Sequence, residues 1–270
     1  MKLKFFCPLW GSEELEKEAF FRKVKGAGYD GVEMSLPLDQ HEKADILKGI
    51  EKQGLELIGQ HSETTTRHFQ EHKEEYRLRL ENLAAAHPLF INTQTGKDYF
   101  SFEQNVALIE LAAEVSEKHN IKIIHETHRG KFSFAAHVME HYLKQLPGLR
   151  IGFDVSHWCN VAESYLQDQA EAVDLAISRT DHIHARVGFP EGPQVPDPRV
   201  PEWREALQIH LEWWKKIIEL NREAGKKELT ITAEFGPYPY MPILPFSRQP
   251  VASQWEVNVF MMDFLKKELG

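Results

Sequence analysis

The chain has 270 residues, 42% of them hydrophobic and 27% charged, the make-up of an ordinary globular protein. Its net charge of −9 argues against a nucleic-acid partner, because an acidic surface repels phosphate backbones. No run approaches the ~18 apolar residues of a membrane span, and the two cysteines, Cys7 and Cys159, form no CxxC pair or disulfide framework.

Short runs rich in Ile, Val, Phe and Leu predict buried strands at 3–7, 31–34, 55–60, 89–94, 121–127, 149–156, 182–188 and 229–236. The brief apolar run of residues 1–10 is too short for a signal-peptide core, and the absence of a cysteine framework fits a reducing cytoplasm, the expected location. Between the strands lie stretches with apolar residues at helical spacing. Residues 101–119 carry Val106, Leu108, Ile109, Leu111, Ala112 and Val115, and 203–224 carry Leu207, Leu211, Trp214, Ile217 and Ile218. Ser101-x-x-Gln104 and Ser253-x-x-Glu256 read as capping-box starts, whereas Gly54 and Gly225 sit where helices should stop.

Successive strand starts are 24 to 47 residues apart, room for one strand, one helix and two loops. An open doubly wound sheet alternates in the same way, but it usually has fewer strands and a Gly-rich first turn, where this chain reads Cys7-Pro8-Leu9-Trp10-Gly11. Eight units and a last helix at 253–269 therefore predict one α/β domain over 1–270, a (β/α)8 TIM barrel. The long connections after the seventh and eighth strands, 189–201 and 237–246, are rich in proline and aromatic residues. They fall at the C-terminal face, where barrel active sites lie, and are expected to form rigid walls over a pocket.

The last four strands end in ionisable residues, which a barrel interior normally excludes. The fifth ends Ile123-Ile124-His125-Glu126-Thr127-His128 and the sixth Phe153-Asp154-Val155-Ser156-His157. The seventh reads His182-Ile183-His184-Ala185-Arg186 and the eighth ends Thr232-Ala233-Glu234. Strand ends of a closed barrel converge, so Glu126, Asp154, His184 and Glu234 are expected to meet. Three crowded carboxylates repel one another unless a cation draws them together. Three oxygen ligands and one imidazole suit one divalent ion, Mn²⁺ first, with Mg²⁺, Co²⁺ or Zn²⁺ as alternatives. His182 and His184 point to the same side, and His182 is expected to be a hydrogen-bonded core histidine.

The order Glu, Asp-x-x-His, His-x-His, Glu over the last four strands resembles the xylose-isomerase-like barrel superfamily. The segment Gly28-Tyr-Asp-Gly-Val-Glu33 is similar to the second-strand entry found there. Small members include ketose 3-epimerases, hydroxypyruvate isomerase and inosose dehydratase. The resemblance implies that Glu126, Asp154, His184 and Glu234 hold the metal and that Glu126 and Glu234 double as the acid/base pair. It also implies that His157 and His61 bind substrate oxygens. The epimerases place an arginine several residues beyond the metal histidine; this chain has Gly188-Phe-Pro190 there, leaving Arg186 or Arg199 as the substitute. Trp10 and Trp158, with Phe189 and Tyr238, are candidate walls for the apolar face of a sugar.

The chemistry so implied is proton abstraction next to a carbonyl, giving isomerisation or epimerisation through an enediolate, or dehydration if a β-hydroxyl leaves. Without a Gly-rich phosphate cradle, a ketose, polyol or sugar acid is the expected partner. Two other classes compete. Endonuclease IV shares the superfamily, but this chain lacks its additional zinc ligands, offering Asn92-Thr-Gln94 and Asp197-Pro-Arg199 instead. A non-catalytic sugar-binding protein has no need for the complete metal set. The oligomeric state is left open.

Overall fold

The computed structural model describes residues 1–270. Eight strands pair in parallel in chain order: β1 (Lys2–Pro8), β2 (Gly31–Met34), β3 (Glu56–His61), β4 (Ile91–Thr93), β5 (Ile123–Glu126), β6 (Ile151–Phe153), β7 (Thr180–His184) and β8 (Glu228–Thr232). The seam between β8 and β1 runs from Lys2 opposite Glu228 to Phe6 opposite Thr232 and closes the sheet into a barrel. Around it lie α1 (Lys17–Gly26), α2 (Gln40–Lys52), α3 (Phe69–Ala84), α4 (Phe102–His119), α5 (Ala136–Gln145), α6 (Ser156–Ala162), α7 (Ala170–Ser178), α8 (Arg204–Glu223) and α9 (Gln254–Leu269). No helix is long and apolar enough to cross a membrane.

The caps form where the sequence signals them. Ser101 accepts from the Gln104 amide at 3.2 Å, and the Gln104 side chain accepts from the Ser101 amide at 3.0 Å, a complete capping box on α4. Ser253 accepts from the Glu256 amide at the start of α9. Gly54 and Gly225 adopt φ of 58° and 74° just past α2 and α8, a left-handed turn that favours glycine.

From β4 to β8 the strands end earlier than the apolar runs suggest, and at β6 side chains take over the backbone hydrogen bonds. The Asp154 amide donates to Thr127 Oγ1 at 2.8 Å rather than to a neighbouring strand. The Ser156 amide donates to Asp154 Oδ1 at 3.0 Å, and the chain turns into α6 where strand was expected to continue to 156. The seventh strand is displaced from 182–188 to Thr180–His184, so Arg186 belongs to the loop beyond it.

Two apolar regions hold the barrel. Fifty-eight buried residues fill the layer between sheet and helices, among them Trp158, Trp214, Phe153 and Ile183. A separate plug of Phe6, Ile58, Phe90 and Ile124 packs apart from that layer. The Phe90 ring sits 5.4 Å from that of His182, where the plug meets a polar layer leading to the C-terminal mouth.

Candidate active site

The polar layer is organised by Glu33, a fully buried residue of β2. Its Oε1 accepts from Asn92 Nδ2 and lies 3.0 Å from His184 Nε2. Its Oε2 accepts from Thr232 Oγ1 at 2.5 Å and lies 3.1 Å from His182 Nε2. Burial alone would keep this carboxyl protonated, but His184 and His182 hold it well below the usual carboxylate range. With Nε2 facing the Glu33 carboxylate, His184 turns Nδ1 toward the mouth. His182 is engaged at both ring nitrogens, by Glu33 and by Thr230 Oγ1 at 2.7 Å, as expected of a core histidine.

Above this layer, Glu126, Asp154, His184 and Glu234 each bring one ligand atom within 4.8 Å of the other three. His184 Nδ1 is 3.7 Å from Glu126 Oε1 and 3.0 Å from Glu234 Oε2, but off the line a hydrogen bond needs. Two buried atoms, His184 Nδ1 and Glu126 Oε2, have no hydrogen-bond partner at all. Gln94 donates to the other oxygen of Glu126 at 3.2 Å, and Gln60 donates to Glu234 Oε1 at 3.0 Å. The two amides fix the glutamates from β3 and from the end of β4, leaving one oxygen of each turned inward.

The charges conflict. Burial pushes Glu126 up to about 8, with Glu234, Asp154 and Glu33 adding repulsion and His184 opposing it. Burial acts the same way on Glu234, but His184 and Arg186 outweigh it and hold that carboxyl low. Burial works against a proton on His184, yet Glu234, Glu33 and Glu126 hold its imidazole well above the ordinary value. The cluster thus needs protons to settle its own charge. A divalent cation relieves the same conflict by taking the place of those protons, and the donors suit one: three carboxylates, one imidazole and two atoms with no partner. Asp154 is the most heavily engaged of the four. Its Oδ1 accepts from Ser156 Oγ at 2.5 Å, and its Oδ2 contacts Arg186 Nη2.

The cluster opens into a cavity of about 300 Å³, with Glu234, Arg186, His128, Gln60 and Gln94 on its polar side. That is the lower end of the size range of small-molecule sites. Trp10 and Tyr240 form the wall, edge to face at 5.0 Å, with the Arg186 guanidinium 5.8 and 4.9 Å from their rings. Of the two proline-rich loops, only the eighth reaches the cavity, through Tyr240. The seventh braces it: Gln194 donates to the Gly236 carbonyl at 3.1 Å and accepts from the Gly236 amide at 2.6 Å.

The residues expected at the substrate separate into two groups. Trp10 and Arg186 line the cavity. His157 is fully buried beside it, with Nε2 accepting from Arg186 at 2.8 Å and 3.6 Å from Asp154 Oδ2. His61 lies elsewhere, its ring nitrogens 2.9 Å from Thr93 Oγ1 and 2.8 Å from Thr64 Oγ1. Trp158 is a core residue, donating to the Ser133 carbonyl at 2.8 Å and packed 5.2 Å from Phe153. Arg199 pairs with Asp197 at 2.6 Å, Phe189 packs on Trp203 at 4.8 Å, and Tyr238 is 58% exposed, so none of these three lines the cavity.

Sequence reasoning gave no role to Glu33, Gln60, Gln94, His128 or Tyr240. The available signal for the first three was polarity inside otherwise apolar strand runs.

No family model matches the chain, and no curated protein matches its sequence. Solved structures do match over almost the whole length. D-psicose 3-epimerase from Clostridium cellulolyticum H10, solved with D-tagatose, is 16% identical over 98% of this chain and 99% of its own, with a TM-score of 0.64. The 3-keto-D-glucoside 4-epimerase of E. coli is 13% identical over 98% and 100%, with a TM-score of 0.65. A xylose isomerase domain protein from Planctomyces limnophilus is 12% identical over 98% and 96%, with a TM-score of 0.60. At such identities the likeness establishes the fold alone, an eight-stranded parallel barrel ringed by helices.

Proposed function

We propose that this chain is a divalent-metal-dependent isomerase or epimerase of a small sugar, ketose or sugar acid, with Glu126 and Glu234 as its acid/base pair. The observation that carries the reading is the convergence of Glu126, Asp154, His184 and Glu234, within 4.8 Å of one another, beneath a cavity of about 300 Å³. Those four residues are the proposed ligands. An ion held by them would supply Lewis-acid stabilisation of negative charge on adjacent substrate oxygens.

The protein's own groups do the rest. Glu126 comes from β5 and Glu234 from just beyond β8, so they approach a ligand from different sides of the barrel axis. Such a pair can remove a proton with one carboxylate and return it with the other, to the neighbouring carbon or the opposite face. Gln94 and Gln60 hold the two carboxylates in orientation. Trp10 and Tyr240, set edge to face, offer an aromatic corner to the C–H face of a sugar, and Arg186 lies against it as a hydrogen-bond donor.

The test is a screen of ketoses, inososes and sugar acids with metal-supplemented protein in D₂O, followed by proton NMR. Deuterium should enter at carbon next to the carbonyl even where no net product accumulates, and a dehydratase would register as loss of a CH–OH proton signal with a methylene or vinyl signal in its place. Protein prepared without chelator should carry about one divalent ion per chain, and Asp154→Ala should lose it. Metal content unchanged in that variant would remove Asp154 from the ligand set.

A further inference from the structure

Arg186 is the only buried arginine of the chain, 1% exposed, and its guanidinium reaches into the ligand cluster. One nitrogen, Nη2, contacts Asp154 Oδ2, donates to His157 Nε2 at 2.8 Å and stands 3.6 Å from Glu234 Oε2. Asp154 and Glu234 are two of the four proposed metal ligands. Longer contacts hold the rest of the group: Nε donates to Ser156 Oγ at 3.2 Å and Nη1 to the Glu234 carbonyl at 3.4 Å.

A buried carboxylate such as Asp154 needs a positive neighbour, because desolvating its charge alone is costly. Its Oδ1 already accepts from two donors, the Ser156 amide at 3.0 Å and the Ser156 hydroxyl at 2.5 Å. Oδ2 is therefore the oxygen left for a cation, and Arg186 holds it. A divalent ion on the same oxygen would set two like charges on opposite sides of one atom, a repulsion that a buried site screens poorly.

The fold gives the guanidinium somewhere to go. Arg186 lies in the loop beyond β7 and lines the cavity, with its guanidinium carbon 4.9 Å from the Tyr240 ring and 5.8 Å from the Trp10 ring. A planar cation can turn onto those faces, where attraction to the aromatic rings offsets part of the lost ion pair.

We propose that Arg186 is the resident counter-ion of the metal site: it and a divalent ion compete for Asp154 Oδ2, and ion entry drives the guanidinium off the carboxylate toward the aromatic corner. Its donors then face the cavity rather than the ligands, so sugar recognition by Arg186 follows metal loading. This rests on the reading of the four residues as a metal site and adds the regulation of that site.

The experiment is calorimetric titration of the metal-stripped full chain with Mn²⁺ alone, for the wild type and three variants. Arg186→Met and Arg186→Gln remove the competing charge and should bind Mn²⁺ roughly 10–100-fold more tightly than the wild type, the usual size of coupling between two sites. Arg186→Lys keeps a cation within reach of Asp154 and should stay closer to the wild type than to either neutral variant. Without metal the neutral variants should melt below the wild type, because Asp154 has lost its partner, and saturating Mn²⁺ should close that gap.

Mn²⁺ affinity equal to the wild type or weaker in the neutral variants overturns the proposal, since Arg186 would then support the ligands instead of competing with them. Equal tightening in Arg186→Lys also overturns it, by tracing the effect to lost packing rather than to charge. Should the neutral variants fail to fold, the wild type decides. The Nε–H signal of Arg186 in ¹⁵N-arginine-labelled protein, assigned by its absence from Arg186→Lys, should move when Mg²⁺ saturates the site, and a signal that stays in place overturns the proposal. A wild type that binds no Mn²⁺ sinks the metal site itself, whereas binding without competition sinks this inference alone.

Discussion

Replacing Glu33 with Gln tests whether this buried carboxylate governs metal binding through His184. The substitution keeps the size and one acceptor but exchanges the other oxygen for an NH₂ group. If the carbonyl faces His184 and Asn92, the histidine keeps a hydrogen-bond acceptor at Nε2 and loses only the charge behind it. If the NH₂ faces them, Asn92 can rotate its unpartnered Oδ1 to meet it. His184 Nε2 must then become an acceptor, which sends the ring proton to Nδ1, the nitrogen turned toward the metal. The first orientation should weaken the site by about tenfold and the second by about a hundredfold, the range known for partners of metal-binding histidines. That is about 1.4 to 2.7 kcal/mol of binding free energy. Folding stability should fall by no more than about 1–2 kcal/mol, since charged hydrogen bonds are exchanged for neutral ones while a buried charge is removed. Calorimetric titration of metal-free protein with Mn²⁺, paired with urea unfolding, reads both quantities. An affinity within about twofold of wild type in a normally folded variant would refute the assignment of Glu33 as the residue that sets the His184 tautomer.

Glu126→Gln and Glu234→Gln should each keep the fold and much of the metal while losing on the order of 10²–10⁴-fold in turnover; near-wild-type turnover in either would reduce that glutamate to a ligand. At the base of β7, the side chain of Asp181 is almost fully buried between Lys122 and Arg150, each 2.6 Å away, and Lys226. Burial opposes its ionisation, but Arg150, Lys122 and Lys226 hold its carboxyl far below the ordinary value, so its stabilisation is complete above pH ~4 and fades as pH falls toward that lowered value. Asp181→Asn should therefore cost about 1–3 kcal/mol at pH 7, discounted because its partners are partly exposed. The gap to wild type in urea midpoint should narrow in acid, and a gap that widens below pH 4 would contradict the ion-pair account.

The architecture was legible because a buried parallel strand followed by an amphipathic helix leaves a strong local imprint, and eight repeats of it leave few other folds. The four proposed ligands were legible for a related reason: an ionisable residue closing an apolar run stands out, and strand ends share one face. Side-chain direction beyond the strands was not legible. His61 follows an apolar run just as Glu126 does, but whether its nitrogens face the cavity or Thr93 and Thr64 depends on hydroxyls from a different strand and loop. Trp158 sits one residue from His157, yet a turn of α6 sends it into the core. Glu33 was hidden because its partners, Asn92, His182, His184 and Thr232, lie 59 to 199 positions away, beyond any spacing pattern.

The seam between β1 and β8 gives those long separations a kinetic meaning. Glu33 follows the first strand of the ring closely, whereas His184 and Thr232 belong to its last two units, so the chain's two halves must come together before Glu33 can orient His184, although the four proposed ligands all come from β5 to β8. Contacts so distant in sequence form late, after a large loss of chain entropy. Full-affinity ion uptake during refolding, the part that depends on Glu33 behind His184, would then report completion of the ring rather than formation of individual strand–helix units. A circular permutant cut between β4 and β5 would join Glu33 and His184 through a shorter stretch of chain. Its full affinity for metal should appear earlier in refolding, with the finished site unchanged.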